Sequence, residues 1–577
     1  MAVKDAITED EGNGRFNNFL KRAVLIQYGT GILALILVAA PLVPILFQSI
    51  LDRPLYDELK IFTLDNFTSL FANAKFYNAL TNSVLLAVAT TIIALVIGVT
   101  TAILLGRTNL PFRKTLGEVV LWPMYLSHLV LAFGWFLMYG PSGYITLLFK
   151  SWFDLELWNL YTIMGMAVVA GAAQAPMVHL FCSSSAKASD ASLEDAARTT
   201  GAGPFRVIWR VTIPLLRPAI IYSAMLNFIG ALEMLSVPLI FGSPAGLDFF
   251  TTFLYTQGLG KTNPDYGMIG AAAVFLLLLI TVLIILQKLL LRKSGRFISI
   301  RGKATRRKLF DLGKYRWPLT ISLAVYFFLT LGVVLGGVLL RSVTFFLSPL
   351  LPPWELFTLE NFDMIFKYDA YSRSITNSLF IASVGAAIAV AVILMITLVI
   401  HRSGFRFRKK MEFVALYPRA VPGIVAGIGF FWAMLMFPFM NALYGTVWIL
   451  ILAFTMRNIP SAFGAISPML MQISKDLDQS SRSVGADWWT TTRVVIMPLL
   501  KPAVFGAYVL LFLSFLKEYA SAAFLYAPGS EIIGTTMLSF WQNGATGPVA
   551  ALATIQIGIT IIFVTLARIL LGVKAYG

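Results

Sequence analysis

The sequence holds one cysteine, Cys182, and three histidines among 577 residues. An intrachain disulfide framework is therefore excluded, and a His/Cys metal cluster is not expected. Charge is scarce as well. Asp, Glu, Lys and Arg make up 13% of the chain, about half of the roughly 25% found in soluble domains. That shortage, beside 58% hydrophobic residues in long runs, excludes an ordinary soluble protein and indicates an integral membrane protein. Acidic groups are the scarcer charges, 28 against 45 Lys and Arg, for a net charge of +17. The basic excess lies between apolar runs, as in positive-inside loops, and not on a soluble face that would bind nucleic acid. The N-terminus lacks a cleavable-signal pattern. Its first apolar run is long enough to read as a signal anchor.

What is present is a series of runs near the length of about 20 residues needed to span a bilayer. They fall at 24–50, 79–106, 117–139, 158–182, 218–243 and 267–291, then at 316–341, 374–401, 411–437, 443–468, 502–526 and 548–573. The expected fold is all-α and polytopic, with twelve transmembrane helices as two homologous six-helix halves. The expected divisions are a cytoplasmic tail (1–23), half one (24–291, with a loop at 183–217), a basic linker (292–315) and half two (316–577, with a loop at 469–501). Lys21, Arg22, Arg107, Arg113, Lys114, Arg198, Arg206, Arg210 and Arg217 mark one side of the membrane. Asp52, Asp57, Glu58, Asp65, Asp248, Asp265, Glu355, Glu360 and Asp363 mark the other. This bias places both termini in the cytoplasm. The linker, with Arg301, Lys303, Arg306, Arg307 and Lys308, reads as an inside anchor or as a lipid-binding or regulatory segment.

The halves are duplicates. NFTSLF (66–71) echoes NFDMIF (361–366), TNS recurs at 81–83 and 376–378, and FRK at 112–114 and 407–409. Pro123 and Gly134 match Pro418 and Gly429 at an offset of 295. The offset then falls to 284, with 11 residues lost between the third and fourth spans of half two, and Pro176 matches Pro460. Homologous halves with an even number of spans share one orientation, so a pseudo-twofold along the membrane normal is expected, with a central pathway between the halves.

The clearest duplicate is polar. LEDAARTTGAGPFRVIWRVTIPLLRP (193–218) returns as LDQSSRSVGADWWTTTRVVIMPLLKP (477–502). By topology both copies lie in the cytoplasm, between the fourth and fifth spans of their halves. Ser192 with Asp195, and Asp476 with Gln479, suit the N-terminal cap of a short helix. Helices are expected from Leu193 to about Thr199 and from Leu477 to about Ser483. Gly201 and Gly485 would end them in the left-handed conformation. A second short helix should follow, broken by Pro214 and Pro218, and by Pro498 and Pro502, before the membrane. Isolated helices this short are marginal in water and need a partner.

These stretches resemble the coupling loop of binding-protein-dependent ABC importer permeases of the type I importer fold. The motif is Glu-Ala-Ala, three residues, Gly, then a hydrophobic-x-Leu-Pro ending. Here it is Asp195-Ala196-Ala197, Gly201 and Ile213-Pro214, and again Gln479-Ser480-Ser481, Gly485 and Met497-Pro498. The second copy departs from the pattern in its Gln and two Ser. The resemblance implies that each loop docks on one subunit of a cytoplasmic ABC ATPase homodimer. Closure of that dimer on ATP would swing the halves between inward- and outward-open states, and a periplasmic binding protein would deliver the solute. The residues it assigns to docking are Glu194, Asp195, Ala196, Ala197, Arg198, Gly201 and Pro214, and Asp478, Gln479, Ser480, Ser481, Arg482, Gly485 and Pro498. It implies an inner-membrane permease subunit that is not itself an enzyme, with no bound cofactor; ATP and Mg would sit on the ATPase. The fused arrangement, with LKEYASAAFLYAPG at 516–529, looks most like ferric-iron-type permeases. Thiamine, polyamine and phosphonate importers are close relatives.

Ionisable groups inside spans are costly and are functional candidates by default. Glu233 and Glu518 fall at nearly equivalent places, each followed three residues later by Ser236 or Ser521. On a helix that spacing puts carboxylate and hydroxyl on one face. These four residues would line a pathway for a cationic solute, or the acids would pair with Lys517, Arg457 or backbone. Arg457 and Arg419 would serve an anionic solute, or Arg457 would anchor helices beside Pro460. His128 and His179 read as packing residues. GLGKT (258–262) hints at a phosphate loop, but the required first Gly is Tyr255 and the stretch falls in an outer loop. A secondary transporter of six plus six spans stays open as a rival, although it has no need of twin loops. A membrane enzyme is a further rival, without a cluster of His, Cys or acids for chemistry.

Overall fold

The structure is a computed structural model that describes residues 2–155, 158–188, 192–260, 263–291 and 309–571, without the side chains of 2–23, 188, 192 and 571. The first part of the basic linker, including Arg301 to Lys308, and Lys261 and Thr262 of GLGKT lie outside the described residues. Among the described residues the fold is all-α, with β-structure limited to isolated bridges. Eleven helices among the described residues are long and apolar enough to cross a membrane. A twelfth counts if Arg408–Ala420 and Gly423–Met436, folded on each other by 111°, form one broken span.

Spans one to six are Val24–Ser49, Ala74–Arg107, His128–Phe153, Ile163–Lys187, Pro204–Leu232 and Tyr266–Leu291. Spans seven, eight, ten, eleven and twelve are Gly313–Ser342, Asp369–Arg402, Val447–Gln472, Trp488–Leu516 and Thr546–Leu570. The third spans differ from expectation. The run 117–139 is not one helix. It divides into Arg113–Val119, Trp122–Tyr125 and His128–Tyr139. Leu126 and Ser127 are extended, and the Ser127 hydroxyl accepts from Leu129 N at 3.3 Å. The ninth span breaks at the matching place, where Val421 precedes Pro422 and is pushed out of helical geometry.

The fifth spans differ too. Pro214 and Pro218 do not end a helix; they lie inside one that continues into the membrane. Ile208–Thr212 forms a single wide turn, in which Ile213 N bonds to Ile208 O. Thr492–Ile496 repeats it, with Met497 N bonded to Thr492 O. A proline ring clashes with the carbonyl four residues back. Widening the turn displaces that carbonyl and lets the helix run on.

The repeated motifs have physical roles. Asn66 Nδ2 donates to Ser49 O and Leu51 O at 3.1 and 2.8 Å. Asn361 Nδ2 donates to Ser342 O and Thr344 O at 3.0 and 3.1 Å. Each satisfies carbonyls orphaned at the end of the preceding span. Asn82 Nδ2 donates to Asp248 O, and Asn377 Nδ2 to Gly529 O and Glu531 O. Those bonds hold the loops that follow spans five and eleven.

The chain forms two compact units that cut across the sequence halves. One contains residues 1–47, 55–58 and 373–532; the other contains 48–54, 59–372 and 533–577. Within the first unit, span one packs on span nine, and a Cβ at Gly429 would collide with the Pro41 carbonyl. Within the second, span seven packs on span three, and a Cβ at Gly134 would stand 2.6 Å from Val334 Cγ1. Gly134 and Gly429 are the matched pair of the repeat. The first span of each sequence half thus lies on the third span of the other half.

Candidate functional site

The twin stretches fold as expected in outline. Short helices run Ser192–Thr199 and Asp476–Ser483. Gly201 and Gly485 follow with φ of +82° and +86°. Ala202 N bonds to Ala197 O, and Ala486 N to Ser481 O, at 3.1 Å each. This is the glycine-terminated helix end in which only a residue without a Cβ is unstrained. No atom lies within 4 Å of a Cβ built on either glycine, so the backbone angle, and not crowding, selects glycine. The N-terminal caps differ from expectation. Ser192 and Asp476 are the first residues of their helices and do not precede them. Ser474 supplies the turn before the second helix, accepting from Asp476 N at 3.2 Å and donating to its carboxylate at 2.8 Å.

The acids separate into two sets. Asp195 is 58% exposed and lies 3.7 Å from Arg198, and Ala196, Gln479, Ser480 and Arg482 are also exposed. Glu194 turns inward instead. It is 3% exposed, and its Oε1 lies 3.3 Å from Arg107 Nη2 and accepts from the Thr212 hydroxyl at 2.8 Å. Asp478 is the counterpart. It pairs with Arg402 Nη1, while Arg402 also donates to Leu470 O at 2.7 Å and to Ile473 O. Arg402 is held from its other side by Trp488 Nε1, which donates to its carbonyl at 2.9 Å. Glu194 and Asp478, grouped with the docking residues by motif, therefore face the protein interior. Sequence reasoning used Arg107 only as a topology marker and did not single out Arg402. The available signal was that both close the second span of their halves at the offset of 295.

The in-span candidates are brought together in the first unit. Arg457 Nη1 lies 2.7 Å from Glu518 Oε2. Glu518 Oε1 accepts from the Ser521 backbone N and hydroxyl at 3.2 and 3.1 Å. A Cβ at Gly423 would stand 2.7 Å from Arg457 Nη1, so the pair lies against the break in span nine. Arg419 is half-buried in the turn Tyr417–Ala420 just before that break. The helical-face reading of these acids is corrected. Span eleven stops at Leu516 and span five at Leu232. Glu518 meets Ser521 by folding back over a non-helical turn. In the second unit Glu233 is half-buried as the residue after the span-five helix, and Ser236 is fully buried. The position matched to Arg457 is Ala173, so the halves differ in charge here. His179 packs in span four with Nδ1 3.1 Å from Thr101 Oγ1. His128 opens the helix after the break in span three.

The family described as binding-protein-dependent transport system inner membrane component matches twice, at residues 98–296 and 387–571. The ferric transport system permease protein FbpB of Actinobacillus pleuropneumoniae is 27% identical over 487 residues, covering 83% of this chain and 69% of that protein. The Fe(3+)-transport system permease protein FbpB 2 of Haemophilus influenzae is 24% identical over 487 residues, covering 82% and 85%. The crystal structure of a bacterial alginate ABC transporter in complex with alginate pentasaccharide-bound periplasmic protein is similar at 17% identity and a TM-score of 0.36, over 41% of this chain and 84% of that chain. The chain belongs to the binding-protein-dependent inner membrane components, with two copies of the family domain fused in one multi-pass permease that resembles ferric-type permeases.

Proposed function

We propose that this permease is the membrane subunit of an ATP-driven importer that takes ferric iron from a periplasmic binding protein and releases it in the cytoplasm. It lies in the bacterial inner membrane with both termini cytoplasmic. The helices Ser192–Thr199 and Asp476–Ser483 dock on the two subunits of a separate ATPase homodimer, which binds ATP and Mg. Closure of the ATPase moves the two docking helices, and the spans alternate between outward and inward access. The observation that carries this reading is the twin helix, ended in both copies by a left-handed glycine and followed by the same wide turn. Nothing in a membrane span requires such a pair, and short polar helices need a surface to pack on. Ferric iron is the assigned cargo because the relatives matched over most of the chain are named for it. Glu233 with Ser236, and Glu518 with Ser521 and Arg457, are the groups assigned to the pathway. The test is uptake of radiolabelled ferric iron by native membrane vesicles supplied with periplasmic extract from the same cells. Uptake that requires ATP supports the assignment. Uptake driven by an ion gradient without ATP contradicts it.

A further inference from the structure

The docking reading leaves one construction unused: an ion pair behind each twin helix. Arg107 is the last residue of span two and is 4% exposed; Glu194, on the first turn of its helix, is 3% exposed. Arg402 closes span eight and is 8% exposed, with Asp478, its side chain 18% exposed, on the first turn of the second helix. The two pairs join an Arg and an acid at matched positions of the repeat. Glu194 takes a second bond from Thr212, whereas the position matched to Thr212 is Ile496. Asp478 is one methylene shorter, and there Arg402 spreads over the carbonyls of Leu470 and Ile473 at the end of span ten. The same Arg-to-acid connection is made in both halves. Its recurrence behind both docking helices, with a Glu in one and an Asp in the other, indicates that the connection itself has a use.

Stability is a weak explanation for it. A buried ion pair is often no more stabilising than apolar residues of the same shape. What it supplies is direction, because two buried charges cannot separate without a large penalty. In the first half the hold is reinforced. Phe310 N donates to the Arg107 carbonyl at 2.9 Å, and the Arg198 guanidinium lies 4.1 Å above the Phe310 ring. The end of the linker is therefore fixed both to span two and to the docking helix.

Building on the docking assignment, we propose that Arg107 and Arg402 are positioning residues that latch each docking helix to the cytoplasmic end of the second span of its half. Movement of the helix is passed to that span through the buried pair. The ATPase meets the other face, where Asp195 and Gln479 are exposed.

The test is hydrogen exchange on the full chain with its ATPase, captured together from native membranes, with and without ATP and vanadate. In the wild type, trapping alters exchange at 192–199 and 476–483 and also at 98–107 and 393–402. In Arg107→Ala the change at 192–199 stays and the change at 98–107 falls by roughly tenfold, the size of an ordinary coupling term. Arg402→Ala does the same at 393–402. The exchanged pair, Arg107→Glu with Glu194→Arg, restores transmission. Thr212→Val, a milder variant that keeps both charges, gives a smaller loss in the same direction. Three results overturn the latch: a wild type without change at 98–107 and 393–402, alanine variants in which that change persists, or loss of the ATPase that the exchanged pair does not restore. A wild-type chain that captures no ATPase removes the docking reading, and the latch with it.

Discussion

Arg457 and Glu518 form an ion pair of 2.7 Å between span ten and the broken end of span eleven. The pair is largely buried, at 21% and 12% side-chain exposure, and Ser521 completes the carboxylate's bonding. Removing one partner leaves a charge with little solvent. Arg457→Met is expected to destabilise the purified protein by up to about 3 kcal/mol, the lower end for a fully buried pair. Arg457→Met with Glu518→Leu should recover most of that loss. Thermal unfolding in detergent measures both, and an additive double variant would contradict the pairing.

Glu518 is also assigned to the pathway, together with Glu233. Neutralising both, Glu233→Gln with Glu518→Gln, is expected to abolish uptake while the ATPase is still recovered and still hydrolyses ATP. Uptake at the wild-type rate would remove these residues from the pathway.

Close helix contact makes a second set of positions sensitive. Gly429→Leu and Gly134→Leu drive a side chain into Pro41 and Val334. Each is expected to cost about 1–3 kcal/mol, the usual range for overpacking. Gly464→Ala, with open space at its Cβ, is expected to leave stability unchanged or raised. A chain that tolerates Gly429→Leu as well as Gly464→Ala would contradict the packing of span one on span nine.

The loop after span eleven should respond to acid. Burial pushes the Glu531 carboxyl up, but hydrogen bonds from Arg373 and from backbone N–H groups outweigh it and leave the group below its ordinary value. A depressed carboxylate stabilises the fold above its unfolded value, and that contribution is lost as pH falls through the folded value. Melting temperature should therefore drop more steeply below about pH 4 in the wild type than in Glu531→Gln. Equal slopes would show that the Arg373–Glu531 contact at 3.0 Å does not hold the loop.

Much of this was legible in the sequence because it is local or repeated. Span count followed from apolar length, and the helix ends at Gly201 and Gly485 followed from the one residue type suited to φ near +85°. The break at Val421 and Pro422 was also written locally, as a residue before proline, but the apolar run around it concealed the signal. The wide turns at Ile208 and Thr492 were not legible, since proline alone predicts a break and not its accommodation. The partners of Glu194 and Asp478 lie 87 and 76 residues away. The motif counted those acids with the exposed ones, and only the packing of the second spans shows that they face inward. The exchange of spans one and seven was likewise beyond local reading, because Gly134 and Gly429 show that something approaches closely without showing what.

The account rests on the twin helices as docking elements, and one measurement addresses that directly. The tagged chain is drawn from its native membranes in mild detergent, as wild type and as Gly201→Asp with Gly485→Asp. Either aspartate must adopt a left-handed backbone at about 1 kcal/mol or more, which disturbs the helix end without touching a span. The account predicts an ATPase recovered at two copies per wild-type chain and lost from the double variant. A wild-type chain recovered alone, or an ATPase retained equally by both, would contradict it.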